Sequence, residues 1–91
     1  MTLEFLGHYK ATFNPKKLDL KPGVAEYIGK EGIFQASWVI EEGHPYAGQW
    51  AMGLIRELSP GWEKYEYVWV PEEDLSNIVL AKIAEMREVD I

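Results

Sequence analysis

His8 and His44 are the two imidazoles of this 91-residue chain, and His44 alone has close acidic neighbours, in the run Glu41-Glu42-Gly43-His44. Two carboxylates and one ring nitrogen within four positions could surround a metal ion. The spacing is not diagnostic of one, however, and carboxylates on a loop are poorly preorganised as ligands. Ser37, Ser59 and Ser76 lack the strand-turn-helix surroundings that activate a serine nucleophile. Gly43, Gly48 and Gly53 are too widely spaced to cradle phosphates, and no Gly-Lys-Ser or Gly-Lys-Thr follows them. Cysteine is absent, which excludes disulfides and thiolate metal sites. The expectation is a non-catalytic protein with no catalytic residue, no metal site and no cofactor; a small metal-dependent enzyme using the His44 loop is the alternative.

The chemical excess of the chain is aromatic. Trp38, Trp50, Trp62 and Trp69, with Tyr9, Tyr27, Tyr46, Tyr65 and Tyr67, supply more large amphipathic surface than so small a core requires. Trp and Tyr anchor protein interfaces because they combine apolar area with a polar handle. Trp38 shares its face with Phe34, Ala36 and Ile40, and Trp50 shares parity with Met52 and Leu54, which predicts that both indoles are core. Tyr46 and Trp62 fall in loops, and Tyr65, Tyr67 and Trp69 form an exposed stripe if Val68 and Val70 point inward. The expected binding set is therefore Tyr46, Trp62, Tyr65, Tyr67 and Trp69.

Charge narrows the partners. A net charge of -6 opposes the attraction that supplies most non-specific nucleic-acid affinity, so DNA and RNA are disfavoured. The one basic cluster, Lys16, Lys17 and Lys21, has Asp19 within it and reads as a solvated loop. Glu63, Glu66, Glu72, Glu73 and Asp74 make the C-terminal half acidic, and would favour a protein or peptide with basic segments. The segment Met1-Thr2-Leu3-Glu4-Phe5-Leu6-Gly7-His8 has neither a basic start nor a long apolar run, so a cytoplasmic protein without membrane contact is expected.

At 47% apolar and 26% charged residues the composition is that of a globular chain, and its length suits a single domain over 1–91. Phe5, Tyr9, Ala11 and Phe13 share one parity, the period of a half-buried strand ended by Asn14-Pro15. Lys21-Pro22-Gly23 turns the chain, Val24 to Ile28 reads as an extended run, and Gly29-Lys30-Glu31-Gly32 reverses it. A strand from Phe34 to Ile40, a long hairpin loop 41–48, a strand from Trp50 toward Glu57, a turn at Ser59-Pro60-Gly61-Trp62 and a strand from Tyr65 to Val70 follow. Beyond Pro71, acidic residues and the spacing of Leu75, Ile78, Val79, Ile83 and Met86 favour a helix from about 72 to 88. The β-branched pair Ile78-Val79 supports an alternative, a 3₁₀ turn from Glu72 to Ser76 and then a closing strand.

The Gly-x-Glu-Gly turn before the second of these strong strands, the longer loop after it and the Val70-Pro71-Glu72-Glu73-Asp74-Leu75 ending resemble SH3-like small β-barrels over roughly residues 20 to 80. The resemblance implies a mainly β fold, a small antiparallel barrel of about five strands with a C-terminal helix or helical turn. It also implies a module that binds proteins, peptides or nucleic acids, since such a fold leaves function open. In SH3-like barrels an aromatic groove can receive extended or proline-rich segments, whose low conformational entropy reduces the cost of binding. With its acidic charge, this chain is expected to be an interaction module or accessory subunit that engages a protein or peptide through surface aromatics. A nucleic-acid-binding barrel is a further alternative.

Overall fold

The computed structural model describes residues 2–17 and 23–81, and these form a mainly β structure. Its strands are β1 (His8–Phe13), β2 (Glu31–Val39), β3 (Trp50–Leu54), β4 (Trp69–Pro71) and β5 (Leu75–Leu80). They build one antiparallel sheet in the order β4-β3-β2-β1-β5, compatible with a small barrel-like fold. Short 3₁₀ turns at Val24–Tyr27, Arg56–Leu58 and Glu72–Asp74 connect them. Among the described residues no helix is long and apolar enough to cross a membrane.

Period-two alternation works as expected in β1, where Tyr9, Ala11 and Phe13 are all buried and Tyr9 pairs with the buried Phe34. Val24 to Ile28 is different: it is no strand but a 3₁₀ turn, with Val24 and Tyr27 buried and Ala25 and Glu26 exposed. Residues three apart eclipse one another in a 3₁₀ turn, so the apolar pair at i and i+3 anchors it. Backbone bonds from Gly29 N–H to Phe13 O at 2.8 Å and from Phe13 N–H to Lys30 O at 2.9 Å dock the turn on β1.

The expectation that Trp62 is exposed is overturned, for it has no accessible surface and lies at the centre of the core. Its indole stacks on Tyr27, 4.9 Å between centroids, and meets Phe13, Phe34 and Tyr65 edge-on. Nε1–H donates to Glu31 O at 2.7 Å, which satisfies the ring's polar atom inside the fold. Gly32 admits the indole: a Cβ there would stand 3.1 Å from both Cε2 and Nε1. Ser59, buried beneath the preceding turn, accepts from Ile33 N–H at 2.9 Å and donates to Ile55 O at 2.7 Å. Its hydroxyl is committed to the end of β2.

Trp38 is corrected in the opposite sense. It is 47% exposed, whereas Phe34 and Ala36, of the same parity, are fully buried. The cause is a β-bulge. Ala36 pairs with Met52 but Trp38 pairs with Ala51, so Ser37 is an extra residue on β2 that turns Trp38 outward, while Ile40, two residues on, is buried again. Trp50, also expected in the core, is half-buried against it.

The C-terminal segment follows the alternative reading. Glu72–Asp74 is one 3₁₀ turn, closed by Leu75 N–H on Glu72 O, and β5 then pairs with β1 from Phe13↔Leu75 to Tyr9↔Leu80. The favoured helix is thus contradicted over 75–80, and its remainder, residues 82–88, lies outside the described residues. Thr12 pairs with Ser76 and Lys10 with Val79, so β5 carries one extra residue there, and Asn77 absorbs it at a positive φ of 53°. Asn tolerates that left-handed conformation better than most side chains.

Candidate functional site

The Ser37 bulge and the short β4 together assemble a run of rings on the surface. Trp69 pairs in register with Gly53, whose missing side chain leaves room beside the strand; a Cβ on Gly53 would come within 3.1 Å of Ser37 Oγ. Trp38, turned outward by the bulge, meets Trp69 edge-on with centroids 5.7 Å apart. His44, from the loop between β2 and β3, lies 5.8 Å from Trp69 and 5.7 Å from Tyr46. The Lys17 ammonium stands 4.6 Å from the centre of the Tyr46 ring, within cation–π range.

The loop that carries His44 and Tyr46 is held by its own backbone. Gly48 N–H donates to Ile40 O at 2.9 Å, Ala47 N–H to His44 O at 3.0 Å and Gln49 N–H to Tyr46 O at 3.2 Å. Tyr46 N–H donates to His44 Nδ1 at 3.2 Å, which places the proton of the neutral imidazole on Nε2. The acidic 3₁₀ turn braces this loop from below. Glu72 accepts from Trp50 N–H at 2.8 Å, and Glu73 and Gln49 bond reciprocally, backbone N–H to amide oxygen at 3.0 Å and amide nitrogen to carboxylate at 2.5 Å. Asp74 ties in the chain after β1, its carbonyl accepting from Asn14 N–H at 2.7 Å and its carboxylate from Lys16 N–H at 3.4 Å. Burial pushes the Asp74 carboxyl above its ordinary range, reinforced by Glu73, while the Lys16 N–H and the charges of Lys17 and Lys16 pull the other way.

Of the five expected binding residues, the structure brings Tyr46 and Trp69 together through His44. Trp62 and Tyr65 are buried, at 0% and 1% exposure, which removes both from the described surface. Tyr67 is half-buried, packs on Tyr65 at 5.4 Å and so faces a different part of the molecule. The exposed stripe of Tyr65, Tyr67 and Trp69 does not form, because residues 65–68 are not a strand: Val68 is exposed while Val70 is buried. Trp38 and Lys17 are the members that parity and charge counting missed. Lys16 and Lys17 fold back onto Asp74 and Tyr46, and Lys21 lies outside the described residues.

Among the described residues no three His, Asp or Glu side chains gather as a metal site, and Glu41, Glu42 and His44 are all exposed. Two surface cavities have volumes of about 160 and 250 Å3, below the roughly 300–1,000 Å3 of small-molecule sites. The smaller is lined in part by Tyr27, Lys64, Tyr65 and Tyr67. The Tyr65 hydroxyl is buried with no hydrogen-bond partner among the described residues, and burial raises its pKa, so it stays protonated. Comparisons with protein-family models, with curated proteins and with solved structures yield no match.

Proposed function

We propose that this protein is a non-catalytic interaction module of SH3-like type that binds an extended, proline-rich or basic segment of a protein partner along the ring run Trp38, Trp69, His44 and Tyr46. The single observation that carries this reading is the spacing of the run. Successive centroids lie 5.7, 5.8 and 5.7 Å apart. Side chains on one face of an extended strand recur every second residue, about 6.6 Å apart, whereas those of a polyproline II helix recur every third, about 9.3 Å apart. Alternate residues of an extended segment could therefore each meet one ring. The 3₁₀ turn beginning after Val70-Pro71 supports the SH3-like reading, because it stands where the resemblance expects the barrel to close. The carboxylates of Glu41, Glu42, Glu72, Glu73 and Asp74 around the run favour basic residues in the segment.

Selection of displayed proline-rich peptides, with lysine or arginine at varied positions, against the immobilised chain tests the reading. Selected peptides are expected to shift the indole N–H resonances of Trp38 and Trp69 and leave that of Trp62 unmoved. Trp38→Ala with Trp69→Ala should weaken binding at least tenfold, the loss of about 1.4 kcal/mol or more expected for interface aromatics. Failure to select any peptide, or shifts confined to another face, overturns it.

A further inference from the structure

We infer that the face of Tyr46 is a subsite for a cationic side chain, filled by Lys17 in the free protein and by a lysine or arginine of the bound segment in the complex. The inference rests on the binding reading above and names its ligand class at one ring. Lys17 is an exposed side chain whose ammonium lies 4.6 Å from the Tyr46 centroid, so a cation already occupies the ring's face. The ring does not depend on Lys17 for its position. Its backbone N–H is bonded to His44 Nδ1, and its face is tilted 35° against the imidazole, both within the hydrogen-bonded loop 41–48. A segment laid along the run from Trp38 reaches this face last, where the rings end.

Lys17 can leave without unfolding anything. The backbone beside it is anchored independently, by Asn14 N–H on Asp74 O and Lys16 N–H on the Asp74 carboxylate. Among the described residues the ion pair within 4 Å is Lys10 with Glu31, so no described carboxylate holds the Lys17 ammonium in a short salt bridge. What it does feel is the Asp74 carboxylate, which remains to attract whichever cation replaces it. An arginine is the stronger replacement, since its planar guanidinium stacks on an aromatic face while losing less hydration than an ammonium. Lys17 thus acts as an internal competitor that a basic partner displaces and an uncharged one does not.

The test uses an arginine-bearing peptide from the selection and the same peptide with norleucine in place of arginine, titrated into wild type and Lys17→Ala. Loss of the competitor should tighten the arginine peptide about two- to fivefold, the worth of one exposed cation–π contact, and leave the norleucine peptide unchanged. In the free wild type the Lys17 ε-methylene protons should be shifted upfield by the Tyr46 ring, and saturation with the arginine peptide should return them to their unshifted position. Equal or weaker binding by Lys17→Ala, or a Lys17 signal that the peptide does not move, overturns the inference while the ring run still stands as a peptide site. Selection of peptides without any basic residue does the same, whereas selection of none brings down the binding reading itself.

Discussion

Two tryptophans exchange the roles that their sequence neighbourhoods suggest. Trp62, in a turn, packs against four other aromatic rings and gives its N–H to Glu31 O, whereas Trp38, in the strongest alternating strand, is half out in water. Trp62→Ala should therefore cost about 3–5 kcal/mol in chemical denaturation, enough to unfold much of a domain this small. Trp38→Ala should cost about 1 kcal/mol or less, the worth of one edge-on contact at a surface. A larger loss at Trp38 than at Trp62 would refute the assignment of the core. Tyr65 offers a subtler check, because its buried hydroxyl has no partner among the described residues. A buried unpaired hydroxyl costs roughly 1–3 kcal/mol, so Tyr65→Phe should leave stability unchanged or raise it by about 1 kcal/mol. A loss of more than 1 kcal/mol would mean that the hydroxyl is bonded after all.

Strand pairing explains why part of the architecture was legible and part was not. Burial follows sequence parity from Tyr9 to Phe13 in β1 and from Phe34 to Ala36 in β2. At Trp38 the same parity points to the wrong face, since one inserted residue leaves no compositional trace yet turns that side chain outward, whereas Ile40 beyond it is buried as parity predicts. Val24–Tyr27 was misread for a related reason: four residues are too few to separate a period of three from a period of two. The closing segment was decided by pairing as well, because β1 needs a partner on its second edge and Ile78-Val79 suits a strand. Between these elements the Glu72–Asp74 turn bears the test of charge. The Asp74 carboxyl is raised above its ordinary 3.8, chiefly by burial. A carboxyl with a higher pKa folded than unfolded favours the fold when protonated, so its contribution is present below 3.8 and is lost as pH rises through the folded value. Asp74→Asn keeps an oxygen for the Lys16 N–H and removes that loss. It should melt a few degrees above wild type at pH 7, with the difference vanishing below about pH 4; a lower melting point at pH 7 would show that the Lys16 and Lys17 charges outweigh burial.

At the scale of the whole molecule, a net charge of -6 surrounds a run of four partly exposed rings, Trp38, Trp69, His44 and Tyr46, and in the proposed reading the two together select the partner. Net charge was readable from composition, but the run itself was only half legible: Tyr46 and Trp69 were recognisable as surface aromatics, whereas Trp38 joins them through the bulge and Lys17 through a fold of the loop after β1. Aromatic contact and long-range charge respond differently to salt, which lets their shares be separated. At 0.1 M salt charges interact over about 10 Å, and at 1 M over about 3 Å, so the field of a net -6 protein is largely screened at high salt while ring contacts persist. The arginine peptide should accordingly bind several-fold more weakly at 1 M than at 0.1 M sodium chloride, chiefly through slower association, and the norleucine peptide should change little or tighten. Duplex DNA, a polyanion facing the same field, should show no complex at 0.1 M salt. Salt-independent binding of the arginine peptide would place its recognition in the rings alone and assign the surrounding carboxylates to solubility, while a DNA complex weakened by salt would shift the reading to the lysines that now lie against Tyr46 and Asp74.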